Sequence, residues 1–187
     1  MNLNLIENIV EDHIKAVDYV KKEAAVLEKV AATIVAAINS GNKILFAGNG
    51  GSAADSQHFA AEMSGRFKKE RKGLPGISLT TDTSALTAIA NDYGYENVFS
   101  RQVEALAKPG DVFFCFSTSG NSPNILKAAE KALETGCKTI CFLGKDGGTI
   151  KTKCDISFIV PAPVTARIQE THLLAYHIVC ELIDNSF

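Results

Sequence analysis

The chain has 187 residues, of which 46% are hydrophobic and 21% charged, and its formal net charge at pH 7 is −2. This composition is typical of one globular domain, and the weak negative charge argues against a general binder of nucleic acid or of membrane surfaces. No apolar run is long enough to span a bilayer and the N-terminus lacks a signal-peptide pattern, so we expect a cytoplasmic protein.

The first 40 residues are predicted to form two amphipathic helices, over 2–22 and 24–39. Apolar residues recur at helical spacing in both segments, and Gly41 ends the second. His13 stands between charged residues and is expected to be solvated. These helices are therefore predicted to pack against the domain or to form an oligomer interface.

Downstream of them, short apolar segments alternate with helical segments. The predicted strands are 44–47, 77–79, 112–116, 139–143 and 156–160. The predicted helices are 52–67, 86–90, 98–107, 123–135 and 165–184. Strands that alternate with helices predict an α/β fold with a parallel sheet. We expect a flavodoxin-like, five-stranded sheet between two layers of helices in a single domain.

The cysteines are interpreted as buried reduced thiols. None of them forms a C-x-x-C pair, and most lie in apolar segments, so neither a catalytic nor a zinc-binding cysteine is expected. The five residues are Cys115, Cys137, Cys141, Cys154 and Cys180.

A glycine-rich turn follows the first predicted strand and leads directly into a helix. Gly48, Gly50 and Gly51 allow a sharp turn, and a helix N-terminus presents free N–H donors, so this segment can bind an anion. The turn also fits a permissive dinucleotide motif, but Asp82 lies 34 residues after Gly48, against about 20 in that motif. A purely structural turn is the other alternative.

A second loop of this kind follows the third predicted strand. It places four hydroxyls within six residues, 117–122, just before Pro123. Hydroxyls and backbone N–H groups can bind a phosphate dianion without a fixed positive charge, although the same groups could simply cap the helix. Because the carboxyl ends of parallel strands meet at one edge of a sheet, we expect both loops at that edge.

Two helices carry side chains that could act together. His58 and Glu62 are four residues apart on one helical face, a spacing that is also common in plain surface pairs. On the last helix, Gln169 and His177 are about 80° apart, whereas His172 and His177 are about 140° apart. One site can therefore combine Gln169 with His177 more easily, but spacing alone does not establish a metal site.

The chain resembles the phosphoheptose isomerases of the sugar-isomerase (SIS) family over nearly its whole length, and six motifs carry the resemblance. They are GNGGS at 48–52, QHFAAE at 57–62, TDTSAL at 81–86, ANDYG at 90–94, STSGNS at 117–122 and TARIQE at 165–170. The two loops alone would indicate only a phosphosugar-binding SIS domain. Glu62, Gln169 and His177 make the resemblance specific to the isomerases, and Ala166 stands where some members have an acid.

This resemblance implies an enzyme that converts sedoheptulose 7-phosphate to D-glycero-D-manno-heptose 7-phosphate, the first step of bacterial heptose biosynthesis. It also implies one SIS domain over 1–187, a homotetramer with active sites at subunit interfaces, and one Zn²⁺ per subunit. The implied zinc ligands are His58, Glu62, Gln169 and His177. The implied sugar contacts are Asn49, Gly50, Gly51, Asn91 and Asp92, with Glu62 and Gln169. The implied phosphate contacts are Ser117, Thr118, Ser119 and Ser122.

Aldose–ketose interconversion needs a base for a C–H proton and a group that moves a proton between two oxygens. Glu62 is the expected base and His177 the expected proton shuttle, while zinc would polarise the carbonyl. The alternatives are a noncatalytic SIS binding protein, of the type that associates with a replication initiator, and another phosphosugar SIS enzyme. Those noncatalytic relatives lack the Glu62 equivalent, which favours the isomerase.

Overall fold

The computed structural model describes residues 3–187, so the predicted start of the first helix at residue 2 lies outside the described residues. The strands are β1 (Ile44–Ala47), β2 (Gly76–Ser78), β3 (Val112–Ser117), β4 (Lys138–Gly144) and β5 (Ile156–Val160). The helices are α1 (Leu3–Lys22), α2 (Ala24–Asn39), α3 (Gly51–Ser64), α4 (Thr83–Tyr93), α5 (Ser100–Leu106), α6 (Pro123–Thr135) and α7 (Thr165–Asp184). Short 3₁₀ turns span Tyr95–Asn97 and Ile150–Lys153.

The five strands form one parallel sheet in the order β2-β1-β3-β4-β5. Every residue of β1 and β3 is buried, as expected for strands that helices cover on both faces. Alternate side chains divide into two cores: Phe46 and Phe114 pack with α2, α3 and α7, whereas Leu45 and Phe113 pack with α5 and α6. The predicted flavodoxin-like α/β fold is confirmed.

Three helices have boundaries that differ from the prediction. The helix predicted over 52–67 ends at Ser64. The short helix predicted over 86–90 is the longer α4, because the Asp82 side chain accepts a hydrogen bond from Ala85 N and caps the helix at 2.9 Å. Gly94, with φ of 85°, ends it. The helix predicted over 98–107 is α5, which begins at Ser100, shortly after the 3₁₀ turn at Tyr95–Asn97, and ends at Leu106.

The prediction that all five cysteines are reduced is wrong for two of them. Cys141 in β4 and Cys154, just before β5, form a disulfide. They are 13 residues apart in sequence, and the chain returns after β4 to pair with it in parallel as β5, so the residue just before β5 approaches β4, with 6.0 Å between the two Cα atoms. The other three are free and buried, as predicted: Cys115, Cys137 and Cys180.

The N-terminal helices pack on α7, and α2 also contacts β5. His13 does not fit its prediction as a solvated residue, because its Nδ1 lies 2.7 Å from a carboxylate oxygen of Glu170 on α7. Within residues 3–187, no helix combines the length and apolar character needed to cross a membrane.

Candidate active site

The glycine turn leads directly into α3, as predicted. Gly50 precedes the helix with φ of 56°, a conformation that L side chains rarely adopt. A Cβ on Gly48 would lie 2.2 Å from the carbonyl oxygen of Ser52, so only glycine allows this close packing. The turn therefore presents backbone rather than side chains at the N-terminus of α3, the geometry that binds anions.

The hydroxyl-rich loop has the same position at the N-terminus of α6. Ser117 and Ser122 join their hydroxyls at 3.0 Å, and Ser119 Oγ accepts a hydrogen bond from Asn121 N at 3.1 Å. The carbonyl of Gly120 accepts from Ile150 N at 2.9 Å, which holds the loop against the segment after β4. Thr118 and Ser119 remain half-buried, at the surface of the loop.

A side-chain amide pair joins the two loops. Asn49 and Asn124 exchange two hydrogen bonds of 2.9 Å, and the Tyr95 hydroxyl donates to Asn49 Oδ1 at 3.0 Å. The three residues line a concave surface between the loops. Since β1 and β3 are neighbours, both loops lie at one sheet edge, as predicted. The sequence analysis missed Tyr95 and Asn124, because a buried asparagine in the first turn of α6 has no distinguishing pattern.

His58, Glu62 and His177 converge between α3 and α7. One ligand atom from each lies within 4.8 Å of the others, and all three side chains are half-buried. His58 Nε2 is 2.9 Å from Glu62 Oε1, and the rings of His58 and His177 are 5.0 Å apart. The structure thus brings together a carboxylate and two imidazoles from α3 and α7, and among the described residues His177 Nε2 is buried without a hydrogen-bond partner.

The rest of α7 agrees with the helical-wheel argument. The Gln169 amide lies over Gly51, where a Cβ would meet its Nε2 at 2.5 Å, so Gln169 faces the start of α3. His172 instead points into the core, with Nε2 3.0 Å from the carbonyl of Leu143. Burial lowers the pKa of His172 to about 4. His172 is therefore a structural residue, whereas Gln169 lies over the start of α3 and His177 lies in the cluster with His58 and Glu62.

The site keeps the His177 imidazole neutral. Burial lowers its pKa, and the nearby His58 lowers it further, against the opposing effect of the Glu62 charge. A neutral imidazole can accept a proton or bind a metal ion. Two further buried groups lie beside it that the sequence analysis did not single out. The Tyr176 hydroxyl is 2.8 Å from His58 Nδ1, and burial raises the pKa of Asp55 to about 6, against the opposing effect of His58.

Asn91 and Asp92 lie apart from these hydrogen-bond networks. Both are exposed on the last turn of α4, and Asn91 Nδ2 donates to Asp92 Oδ1 at 2.8 Å. Within residues 3–187, no hydrogen bond joins them to the loops or to His58, Glu62 and His177. Their contact with a sugar stays a prediction.

Comparison with known proteins agrees with the fold and identifies the family. The model of the SIS domain family matches residues 10–144. The phosphoheptose isomerase of Nitratiruptor sp. is 54% identical over 186 residues, which cover 99% of this chain and 100% of the relative. The phosphoheptose isomerase of Aliarcobacter butzleri is 60% identical over 159 residues, which cover 85% of this chain and 84% of the relative.

Solved structures of such enzymes superpose closely. The phosphoheptose isomerase of Neisseria gonorrhoeae has a TM-score of 0.94 at 43% identity, over 99% of this chain and 100% of that one. The enzyme of Francisella tularensis has a TM-score of 0.92 at 36% identity, over 99% of each chain. The chain therefore belongs to the SIS domain family, among the phosphoheptose isomerases.

Proposed function

We propose that the chain converts sedoheptulose 7-phosphate to D-glycero-D-manno-heptose 7-phosphate, the first step of bacterial heptose biosynthesis. One observation carries this proposal: a carboxylate and two imidazoles converge between α7 and α3, the helix that begins at the glycine turn, and a second anion-binding loop shares the sheet edge of that turn. The names of the relatives support the same reaction class.

The phosphate is assigned to the hydroxyl-rich loop. Its hydroxyls and the N-terminus of α6 offer donors without a fixed positive charge. These contacts are Ser117, Thr118, Ser119 and Ser122. The sugar is then assigned to the glycine turn and to groups near it. These contacts are Asn49, Gly50, Gly51, Asn91, Asp92 and Gln169.

Glu62 is the base that removes the proton from the carbon next to the carbonyl, and His177 moves a proton between the two oxygens. The half-buried position of both side chains and the neutral state of His177 suit these roles. Because the same Glu62 also contacts His58, its carboxylate is held in place on α3 before a substrate arrives.

One Zn²⁺ per subunit fits the donor set. Imidazole nitrogen and carboxylate or amide oxygen are suitable donors, and His177 Nε2 has no hydrogen-bond partner among the described residues, so no such bond competes with a metal ion there. The assigned ligands are His58, Glu62 and His177, whose ligand atoms lie within 4.8 Å of one another, together with Gln169, whose amide lies over Gly51 at the start of the same helix α3. When bound, the ion would polarise the substrate carbonyl and stabilise negative charge on oxygen.

The assembly is assigned as a homotetramer with active sites at subunit interfaces. In support, α1 exposes a stripe of large apolar side chains, and such stripes mark association surfaces. They include Ile6, Ile9, Val10 and Ile14, which are 43% to 58% exposed. Light scattering is expected to give a mass four times the 20.0 kDa of one chain. A monomer at working concentration would exclude the assembly.

A cytoplasmic location is assigned because sugar phosphates are made and used there. The Cys141–Cys154 disulfide is unusual for that compartment, where thiols are kept reduced. Thiol titration of the denatured protein, purified with alkylation at lysis, would show whether this pair is oxidised in the cell.

The direct test of the reaction is incubation of the purified chain with sedoheptulose 7-phosphate, followed by NMR for a new aldose phosphate. Glu62 in the cluster favours catalysis over the noncatalytic SIS binding protein. Absence of product from this substrate, with turnover of an amino-sugar phosphate, would instead identify another phosphosugar SIS enzyme.

A further inference from the structure

Tyr176 contacts the second ring nitrogen, Nδ1, of His58, which is one of the proposed zinc ligands. Its side chain is fully buried on α7, and its ring stacks on Phe59 with centroids 5.3 Å apart. Its hydroxyl is 2.8 Å from Nδ1 of His58. Metal-binding histidines commonly use their second nitrogen to bond a partner that fixes the ring and its tautomer. Tyr176 stands in that place for His58.

The hydrogen positions follow from the other nitrogen of His58. Its Nε2 is 2.9 Å from Glu62 Oε1, and an ionised carboxylate can only accept. In the neutral, metal-free imidazole the hydrogen is therefore on Nε2, and Nδ1 carries the lone pair. Tyr176 must then be the donor in its bond to Nδ1.

A metal ion on Nε2 reverses this bond. Nε2 then needs its lone pair, the ring hydrogen belongs on Nδ1, and the Tyr176 oxygen has to accept it. A phenol oxygen can do both, but its own hydrogen then needs another acceptor. No proton is gained or lost overall, because the ring and the phenol each keep one.

Asp55 can supply that acceptor. It lies on α3 one turn before His58, is 7% exposed, and its Oδ2 is buried without a hydrogen-bond partner among the described residues. Burial raises the pKa of Tyr176, and the negative charge of Asp55 raises it further. The Tyr176 hydroxyl thus bonds the ring nitrogen at which the reversal occurs, and Asp55 offers a buried, unpartnered carboxylate oxygen on the helix that carries His58.

We propose that Tyr176 is a positioning residue that changes from donor to acceptor toward His58 Nδ1 when Nε2 binds a metal ion, and that Asp55 then accepts the Tyr176 hydrogen. The proposal rests on the zinc site assigned above. It explains why a hydroxyl, rather than a fixed donor or a fixed acceptor, is buried behind His58.

The test measures zinc affinity of the full chain by competition with a chromophoric chelator. Loss of such a partner typically weakens metal binding about 10- to 100-fold, so at least a tenfold weaker affinity is expected for Tyr176→Phe. Tyr19→Phe is the matched control. It also removes a tyrosine hydroxyl, but one whose only hydrogen bond within residues 3–187 is to Glu23. It should leave zinc affinity unchanged. Thermal unfolding of the zinc-free proteins confirms that each variant folds.

The role of Asp55 is tested with the double variant. If Asp55 acts through the Tyr176 hydroxyl, Asp55→Ala weakens zinc binding in the parent but adds nothing in the Tyr176→Phe background. Full additivity of the two losses would overturn that role.

NMR of ¹⁵N-labelled histidine rings gives a readout that a purely structural role would not change. The parent should have His58 hydrogen on Nε2 without zinc and on Nδ1 with zinc. If the zinc-loaded parent keeps the hydrogen off Nδ1, or if Tyr176→Phe binds zinc as tightly as the parent, the inference is wrong while the zinc site stands. If the parent binds no zinc, both are wrong.

Discussion

Gly51→Ala tests whether Gln169 must keep its place over the start of α3. A Cβ at this position would lie 2.5 Å from Gln169 Nε2 and 2.8 Å from Oε1. Tolerable contacts begin near 3.4 Å, so the amide group must move from 2.5 Å to at least 3.4 Å, a shift of about 1 Å. Gly51 has no positive φ, so the helix itself can accept alanine.

The expected result is a loss of activity without a loss of stability. Displacing a positioned group by about 1 Å can cost about 100-fold in rate, so we expect kcat/KM to fall on that order. Alanine is favoured over glycine within a helix by roughly 0.5–1 kcal/mol, so the melting temperature should stay or rise.

Initial rates and thermal unfolding measure the two effects separately. The matched control repeats the change in a Gln169→Ala background, where Gly51→Ala should cause no further loss. Gly50→Ala should have the opposite effect on stability. Its Cβ meets nothing within 4 Å, but the φ of 56° strains alanine, so the melting temperature should fall. Activity of Gly51→Ala within twofold of the parent, or the same loss in both backgrounds, would refute the reasoning.

Three further results are expected. A chelator should reduce activity and added Zn²⁺ should restore it, whereas full activity of rigorously metal-free protein would exclude the zinc site. Ser119→Ala should raise KM more than it lowers kcat, because the phosphate is remote from the reacting carbons; a collapse of kcat at unchanged KM would contradict this. Asp184→Ala should lower the free energy of unfolding at pH 7 by about 3–5 kcal/mol, because it breaks a buried pair with Arg71 Nε at 2.7 Å. Burial opposes the ionised Asp184, but bonds from Lys69 N, Lys68 N and Arg71 keep its pKa below 3.8. That stabilisation is complete above the unfolded pKa and is lost as pH falls through the lowered, folded one, so parent and variant should converge in urea unfolding at acid pH, below the folded pKa of Asp184. A difference that persists undiminished there would contradict the assignment.

The fold could be predicted where local pattern and tertiary packing agree. The continuous apolar run that begins at Val112 is a strand buried on both faces, and the last helix has the predicted ends, Thr165–Asp184. The pattern failed where one side chain decides a boundary. Asp82 caps α4 at its N-terminus, so the helix begins at Thr83 and not at Leu86, and Gly94, with φ of 85°, ends it only after residues 91–93.

The candidate site, like the fold, could be predicted only in part. His58 and Glu62 share one helical face, so spacing alone could pair them, and helical geometry could favour Gln169 over His172. Contacts between distant elements left no signal in the sequence. The Asn49–Asn124 pair spans 75 residues and exists only because β1 and β3 are neighbours.

The cysteine error has the same cause. No spacing rule joins Cys141 to Cys154, because the sheet, rather than the local chain, sets their separation.

The central claim is that Glu62 removes the substrate proton, and exchange of that proton tests it most directly. Glu62→Gln keeps the size of the side chain but cannot act as a base at neutral pH. With zinc in excess and metal content measured, the parent should exchange the C1 proton of sedoheptulose 7-phosphate into deuterated water, followed by NMR. A positioned base contributes about 10²- to 10⁴-fold, so the variant should exchange at least about a hundredfold more slowly. Exchange by the zinc-loaded variant as fast as by the parent would show that Glu62 is not the base.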